Sequence, residues 1–230
     1  MKKNVLITGC SSGFGLALTN YYLEQGCKVY GISRTKPEFE NENFSFINCD
    51  LSQVNDIKKN LAKIIINIKN LELVFLNAGM LGDIKSSFDL SSDDLREVYE
   101  LNVYANKELL DILSTITVKT IIGISSGAAV NGSKGWAAYS LSKAGLNMLL
   151  NLYSKEMIDT KVLAVAPGVI ETPMTDFIRY ELDDVEFPST KKLKEGEIQT
   201  ASEAVIRMDK LVQQIDKFES GSFVDVRDVY

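Results

Sequence analysis

The sequence predicts an α/β protein with a doubly wound parallel sheet and helices on both of its faces, in three layers. Two observations support this prediction. Short apolar runs bounded by turn residues recur along the chain, and each has the character of a strand buried on both faces. Segments with helical periodicity separate these runs, so strand and helix alternate. Such alternation is typical of right-handed βαβ units, whose ligands bind at the carboxyl ends of the strands.

Each element is assigned from its own pattern. The apolar runs predict strands over residues 4–8, 28–33, 44–49, 71–76, 120–125 and 161–166. The periodic segments predict helices over residues 13–25, 52–69, 92–113 and 137–157. Residues 172–199 interrupt the alternation, because they are irregular, rich in charge and contain Pro173 and Pro188. We expect a substrate lid inserted there, although an ordinary surface insertion would have the same composition.

Composition narrows the function classes. The 230 residues are 45% apolar and 24% charged, which fits one globular domain over residues 1–230. The net charge of −6 argues against a broad surface for nucleic acid or for an anionic membrane. The three cysteines lack paired spacing and the amino-terminal apolar stretch is too short for a signal peptide, so we expect a cytoplasmic protein. Histidine is absent, which excludes histidine triads and imidazole bases, and no metal site is expected.

A glycine-rich loop follows the first predicted strand. Three glycines have the spacing GxxxGxG, and a helix starts within the run. Small residues let backbone amides approach a pyrophosphate, and the helix amino terminus adds a positive dipole end. The residues expected to border the cofactor here are Gly9, Ser11, Ser12, Gly13, Phe14 and Gly15. This is the phosphate loop of a Rossmann-type fold, although a purely structural turn would use the same glycines.

The end of the second predicted strand indicates which dinucleotide binds. Enzymes that use NAD usually place a carboxylate at this position, where it accepts hydrogen bonds from the ribose hydroxyls. Here Ser33 is followed by Arg34, and a guanidinium binds a 2′-phosphate through charge-assisted hydrogen bonds. The sequence therefore favours NADP(H). The alternative is that Arg34 is a solvated charge at the end of a strand.

Candidate catalytic groups lie further along the chain. Tyr139 and Lys143 are four residues apart in a predicted helix, so they share one face. An ammonium near a phenol stabilises phenolate and lowers the phenol pKa, which would let tyrosine transfer protons in place of histidine. Ser126 ends the fifth strand and is placed to donate a hydrogen bond to a substrate oxygen. A tyrosine and a lysine at this spacing are also common as a surface pair on a helix.

The order of these motifs resembles the short-chain dehydrogenase/reductase family over nearly the whole chain. Besides the glycine loop and the tyrosine motif, the resemblance rests on Asp50, on the run 77–79 (Asn-Ala-Gly), on Asn102 and on the run 167–168 (Pro-Gly). It implies that Tyr139 is the general acid, that Lys143 binds the nicotinamide ribose, that Ser126 orients the carbonyl and that Asn102 supports a proton relay. It further implies cofactor contacts from Asp50, Leu51, Asn77, Ala78, Gly79, Tyr139, Lys143, Pro167, Gly168, Val169 and Thr172. Two alternatives stay open: Asn102 could simply interrupt its helix, and Asp50 could cap the helix that begins near Ser52.

Within that family, residues 219–228 resemble the ending of sepiapterin reductases, and the runs 124–128, 135–139 and 144–148 resemble bacterial benzil reductases. The resemblance implies reduction of a small ketone or a vicinal dicarbonyl with NADPH. It also implies that Asp225 anchors a polar heterocycle, that Met174 lines the pocket and that Trp136 forms an aromatic wall. Asp225 could instead cap the last strand, and Met174 could be ordinary packing.

Other functions remain possible at this stage. The same fold serves short-chain dehydrogenases for other alcohols and ketones, of the 3-oxoacyl or sugar type, and a non-catalytic regulator that senses NADP. A nucleic-acid-binding module conflicts with the net acidity. Residues 103–117 and 137–157 are apolar on more than one face, which predicts burial against a second copy of the chain in a homodimer.

Overall fold

One parallel sheet of seven strands forms the centre of the protein. The computed structural model describes residues 2–196 and 198–229. The strands are β1 (Asn4–Thr8), β2 (Lys28–Ser33), β3 (Phe44–Asn48), β4 (Asn70–Leu76), β5 (Thr117–Ile124), β6 (Lys161–Ala166) and β7 (Phe223–Asp225). Their order across the sheet is β3-β2-β1-β4-β5-β6-β7. The doubly wound α/β fold is confirmed, and the short β7 adds an edge strand to the six apolar runs.

The strand order reverses between β1 and β4. From β1 the chain proceeds outward through β2 to β3, and it then crosses back so that β4 pairs with the other side of β1. Loops that leave neighbouring strands in opposite directions open a crevice at the carboxyl ends of those strands. The fold therefore creates its binding cleft beside Thr8 and Leu76, where β1 and β4 end.

Helices cover both faces of the sheet. They are α1 (Gly13–Glu24), α2 (Val54–Ile66), α3 (Ser92–Tyr99), α4 (Ala105–Leu113), α5 (Ala137–Glu156), α6 (Pro173–Tyr180), α7 (Ser189–Glu195) and α8 (Ala201–Gln213). One apolar core lies between the sheet and α2, α4 and α5, and a second lies between the sheet and α1 and α8. In β1, Leu6 joins the first core whereas Val5 and Ile7 join the second, as the two-residue period of a strand requires. Both faces of a central strand are therefore buried, which explains the unbroken apolar runs.

The helix predicted over residues 92–113 is wrong as a single element. Ser91 caps α3 in a reciprocal capping box with Asp94, and α3 ends at Tyr99. A π-helical turn, Glu100–Tyr104, then separates α3 from α4. No glycine or proline marks this turn in the sequence, so hydrophobic periodicity alone runs through it.

The irregular segment predicted over residues 172–199 is partly helical. Thr172 caps α6 and Pro173 occupies its first turn, and α7 follows and packs against α6. The two ends of the segment stay together, because Ile170 pairs with Gln199 in a parallel bridge and Glu171 N donates to Gln199 O at 2.9 Å. Glu197, which belongs to the predicted lid, lies outside the described residues. Movement of the segment as a lid stays a prediction.

Burial along α2 gives a direct test of the first core. Ile57 is fully buried there, whereas Ile64 on the same helix is 43% exposed. Ile57→Ala should lower the free energy of unfolding by about 2–5 kcal/mol, because it removes buried methyl groups and leaves a cavity. Ile64→Ala is the matched control and should cost about 0.5 kcal/mol or less. Urea unfolding followed by circular dichroism measures both, and equal losses would contradict this packing.

Candidate active site

A cavity of about 860 Å³ opens at the carboxyl ends of the strands. Its wall contains nearly every residue that the sequence singled out, drawn from the segments after six strands. The predicted residues that line it are Gly9, Ser11, Ser12, Gly13, Phe14, Gly15, Ser33, Arg34, Asp50, Leu51, Asn77, Ala78, Gly79, Ser126, Trp136, Tyr139, Lys143, Pro167, Gly168, Val169, Thr172 and Met174. Asn102 and Asp225 do not line it. The fold thus brings the predicted cofactor-binding residues and the predicted catalytic residues Ser126, Tyr139 and Lys143 to one cavity.

The glycine loop is shaped by close backbone approaches. Gly9 has a φ of +68°, which favours glycine, and a Cβ on Gly15 would collide with the Gly9 carbonyl oxygen. Ser12 precedes α1 in an extended conformation and makes no side-chain capping hydrogen bond. The backbone amides of the first turn of α1 therefore face the cavity side of the loop without a capping side chain. A small-residue loop at a helix amino terminus fits the pyrophosphate of a dinucleotide.

Hydrogen bonds join β1 to the run after β4. The Thr8 hydroxyl accepts from Asn77 N at 2.8 Å and from Ala78 N at 2.9 Å. The side-chain nitrogen of Asn77, Nδ2, in turn donates to Thr8 O at 2.9 Å. These bonds continue the connection between β1 and β4 beyond their last paired residues, and they fix the floor of the cleft.

The residues expected to select the cofactor lie around the end of β2. The Ser33 hydroxyl donates to Thr35 O at 2.7 Å, and Asn48 Nδ2 donates to Arg34 O at 2.7 Å. The Arg34 side chain is exposed at the cavity wall. Asp50 holds a turn instead of capping α2: its Oδ1 accepts from the backbone N and the hydroxyl of Ser52. The hydrogen bond from Asn48 fixes the backbone of Arg34, while its side chain stays exposed at the cavity wall, where it could bind a phosphate.

Tyr139 and Lys143 occupy successive turns of α5. Lys143 is 4% exposed, its Nζ donates to Ile124 O at 2.7 Å, and it lies 5.7 Å from the centroid of the Tyr139 ring. Ser126 Oγ accepts from Ala128 N at 3.1 Å, which leaves the hydroxyl proton of Ser126 available for donation. Two hydroxyl groups and one ammonium therefore meet where β5 ends and α5 begins.

Burial sets the pKa values in this cluster. Desolvation raises the pKa of the Tyr139 phenol, and a hydrogen bond with Ser126 opposes part of that rise. Desolvation also lowers the pKa of Lys143 to about 8. Lys143 Nζ donates to the Ile124 carbonyl oxygen, and the lowering of the Tyr139 pKa by Lys143 stays a prediction. At neutral pH the phenol is protonated and Lys143 is mostly charged.

Asn102 lies behind the cavity wall, in the π-helical turn. It is fully buried, accepts from Met80 N at 2.8 Å, and donates to Met80 O at 2.9 Å and to the Ser142 hydroxyl at 2.9 Å. Asn102 does interrupt a helix, as the structural alternative held, and it also ties the loop after β4 to α5. A proton relay through Asn102 stays a prediction.

One part of the cavity wall, beside Tyr139, is apolar. Leu81, Trp136 and Ile178 form a small buried cluster against which Tyr139 and Met174 pack. The Trp136 and Tyr139 rings lie 6.2 Å apart at 63°. Residues that the local sequence pattern did not single out also line the cavity, among them the apolar Leu81, Ile178 and Leu193 and the acidic Glu97 and Glu100, because nothing in that pattern separates them from ordinary core or surface residues.

The Asp225 carboxylate is paired with Arg227. Its Oδ1 accepts from Arg227 N at 3.0 Å and Nε at 2.9 Å, and its Oδ2 accepts from Arg227 Nη2 at 2.6 Å. Hydrogen bonding from Arg227 lowers the pKa of this carboxyl. Asp225 thus caps the turn Val226–Asp228, which follows β7, and its carboxylate has a cationic partner within the chain.

Neither a membrane span nor a metal centre is found in the described part of the chain. Across residues 2–196 and 198–229, every helix is too short or too polar to span a bilayer. In the same ranges, no three acidic or cysteine side chains come together as metal ligands would. The cysteines Cys10, Cys27 and Cys49 are buried and unpaired, and burial raises the pKa of each thiol.

Comparison with known proteins decides the family. The sequence profile described as short chain dehydrogenase matches residues 3–183. The chain belongs to the short-chain dehydrogenase family. It is therefore an oxidoreductase, and the resemblance stated from its motifs is confirmed.

Individual relatives point the same way. The chain is 33% identical to the benzil reductase ((S)-benzoin forming) of Bacillus subtilis over 187 residues, which cover 76% of this chain and 77% of that protein. It is 33% identical to the sepiapterin reductase of Rattus norvegicus over 171 residues, covering 68% of this chain and 63% of that protein. A short chain dehydrogenase family protein from Francisella tularensis superposes with a TM-score of 0.84 at 26% identity, covering 98% of this chain and 97% of that one.

Proposed function

We propose that this oxidoreductase is an NADPH-dependent carbonyl reductase that acts on a small ketone or vicinal dicarbonyl. The observation that carries the proposal is that the Tyr139 phenol, the Ser126 hydroxyl and the Lys143 ammonium lie together in the wall of one cavity, beside a small apolar cluster. A protonated phenol is a general acid, which is the role that reduction of a carbonyl requires. The alternative that the chain is a non-catalytic sensor leaves this arrangement without a purpose.

The chain's residues divide the reaction between them. When bound, a reduced nicotinamide supplies the hydride that the carbonyl carbon accepts. Tyr139 Oη donates its proton to the carbonyl oxygen, and the Ser126 hydroxyl donates a hydrogen bond to the same oxygen as negative charge develops there. The Lys143 ammonium, charged below pH about 8, stabilises the phenolate that Tyr139 becomes. The apolar side chains of Leu81, Trp136 and Ile178 beside Tyr139 lower the local polarity, which strengthens these interactions.

The preference for NADP(H) rests on Arg34. It lies at the cavity wall beyond β2 with an exposed guanidinium, and the neighbouring β2 end presents Ser33 where a carboxylate would repel a 2′-phosphate. The glycine loop fits the pyrophosphate, and Asp50 at the wall would border the adenine side. Gly79 lies against Lys143, where a Cβ would come within 3.3 Å of Nζ, so the space for the nicotinamide ribose stays open there.

The substrate class is proposed from the wall of the cavity and from the relatives. A benzil reductase is among those relatives, and the cluster of Leu81, Trp136 and Ile178 would accept apolar or aromatic groups on either side of a dicarbonyl. A pterin is less favoured, because Asp225 is paired with Arg227 and lies outside the cavity wall. Substrates of the 3-oxoacyl or sugar type remain a second candidate, and for a sugar the apolar wall offers few polar partners.

We also propose a cytoplasmic homodimer built of single-domain subunits, with residues 172–199 as the substrate lid. Unpaired buried cysteines fit a reducing compartment, and net acidity fits the absence of a nucleic-acid partner. On α5, Leu141, Met148 and Leu152 are 49%, 60% and 54% exposed, and their spacing places them on one face. Exposed apolar side chains in such a row favour burial against a second copy.

Tyr139→Phe tests the chemistry. The variant deletes the proton donor while keeping the ring, so kcat should fall by a factor of roughly 10² to 10⁴ and NADPH binding should change little. Oxidation of NADPH against benzil, diacetyl and sepiapterin, followed by nicotinamide absorbance, measures turnover, and fluorescence titration measures binding. Tyr30→Phe in β2 is the matched control. Undiminished turnover by Tyr139→Phe would refute the assignment of Tyr139 as the acid.

Arg34→Leu tests the cofactor. We expect KM for NADPH to rise roughly 10- to 100-fold, because a charge-assisted contact with the 2′-phosphate is lost, while KM for NADH stays nearly constant. Arg207→Leu removes an exposed guanidinium from α8 and serves as the control. If the ratio of the two KM values is the same in Arg34→Leu and in the unaltered protein, another residue binds the phosphate.

Met148→Glu tests the dimer. A buried carboxylate at the proposed interface would separate the subunits, so sedimentation velocity at micromolar concentration should show a dimer for the unaltered chain and a monomer for the variant. Ile206→Glu on α8, 49% exposed on the other face of the sheet, should stay dimeric. A monomer mass for the unaltered chain would rule out the homodimer.

A further inference from the structure

The segment that leads into α5 is attached to the segment that leads into α7. Trp136 Nε1 donates to the Ser189 hydroxyl at 2.7 Å. One residue earlier, Gly135 has a φ of +91°, and a Cβ there would come within 2.6 Å of the Phe187 ring. The Lys134 ammonium lies 5.6 Å from the centroid of the same ring. We call these contacts, between residues 134–136 and residues 187–189, the indole dock.

The indole dock determines the position of a side chain in the cavity wall. Trp136 is 8% exposed, and its indole N–H is a donor that needs a partner when buried. Ser189 supplies that partner from a residue 53 positions away, at the first position of α7. The hydrogen bond constrains the rotation of the indole about its side-chain torsions. The orientation of the indole beside Tyr139 therefore depends on where α7 lies.

The neighbours of the indole indicate what it selects. Trp136 meets the Tyr139 ring edge to face, and Leu81 and Ile178 complete an apolar surface beside it. A flat aromatic group next to the reacting carbonyl can pack on such a wall with the offset or edge-to-face geometry that aromatic pairs favour. A small aliphatic group has too little surface to gain from the same contact.

We propose that Ser189 is a positioning residue, which holds the Trp136 indole so that the site prefers carbonyl substrates with an aromatic substituent. The preference for aromatic substrates rests on the proposed reductase function, whereas the positioning of the indole by Ser189 does not. Neither role touches the cofactor or the transferred proton. Ser189 acts on specificity through Trp136 alone.

The first arm of the test reads the indole directly. Trp136 is the one tryptophan of the chain, so tryptophan emission reports this side chain without interference. Ser189→Ala should raise the acrylamide quenching constant about twofold, because the unpaired N–H turns toward water. Ser189→Thr keeps the hydroxyl and should restore the unaltered value. Ser202→Ala, which removes an exposed hydroxyl from α8, is the matched control.

The second arm reads the ligand. Benzil is titrated into the protein with NADP⁺ present, and binding is followed by quenching of Trp136 emission. The dissociation constant for benzil should rise roughly 3- to 10-fold in Ser189→Ala, the loss expected from one hydrogen bond. The ratio of kcat/KM for benzil to kcat/KM for diacetyl should fall by a similar factor. Ser202→Ala should change neither value.

Three results would overturn the proposal. Equal acrylamide quenching in Ser189→Ala and in the unaltered protein would show that Ser189 does not hold the indole. Altered quenching with an unchanged benzil dissociation constant would show that the indole does not set specificity, and failure of the unaltered protein to bind benzil would remove the aromatic preference. By contrast, benzil binding that depends on Ser189 without turnover of any carbonyl would refute the reductase function and support the role of Ser189.

Discussion

The active-site cavity depends on how β1 and β4 are joined where they end. At this point the strand order reverses, so the loops after the two strands diverge and backbone groups are left without strand partners. The Thr8 hydroxyl accepts hydrogen bonds from two successive amides, Asn77 N and Ala78 N, and the Asn77 side chain returns a bond to Thr8 O. A residue without a hydroxyl at position 8 would leave two amides unpaired in the floor of the cleft. These hydrogen bonds position the glycine loop, which follows Thr8, relative to the residues that follow β4.

Burial sets the pKa values of Tyr139 and Lys143 in the cavity wall. A chain without histidine has to obtain proton transfer near neutral pH from groups whose ordinary pKa values are far from 7. Burial lowers the pKa of Lys143 to about 8 but raises that of Tyr139, so it favours the neutral form of both. Tyr139 is therefore protonated at neutral pH, and in the proposed reaction the hydroxyl of Ser126 and the ammonium of Lys143 stabilise the phenolate after the proton leaves.

Local sequence patterns predicted the sheet and most of the candidate residues that line the cavity. Apolar runs mark strands because both faces are buried, and the glycines at positions 9, 13 and 15 mark a close backbone approach that larger side chains would block. The π-helical turn at Asn102 left no such mark, because its residues are compatible with a regular helix. The partners of Trp136 were equally hidden: Ser189 is 53 positions away, and only the packing of α7 brings it close.

Asp225 shows why a role that is inferred from a family resemblance has to be checked against the contacts that the residue makes in its own chain. Asp225 has the position of an anchoring carboxylate, yet Arg227 stands two residues later in a tight turn and takes both of its oxygens. An ion pair closed within three residues satisfies the carboxylate locally, so Asp225 offers little to a ligand unless Arg227 is displaced. The Asp-Val-Arg order in the sequence was the available signal for this pairing. Beside Tyr139 the surface is formed by Leu81, Trp136 and Ile178, and under the proposed function the shape of this apolar surface is the main basis on which the site would distinguish one carbonyl from another.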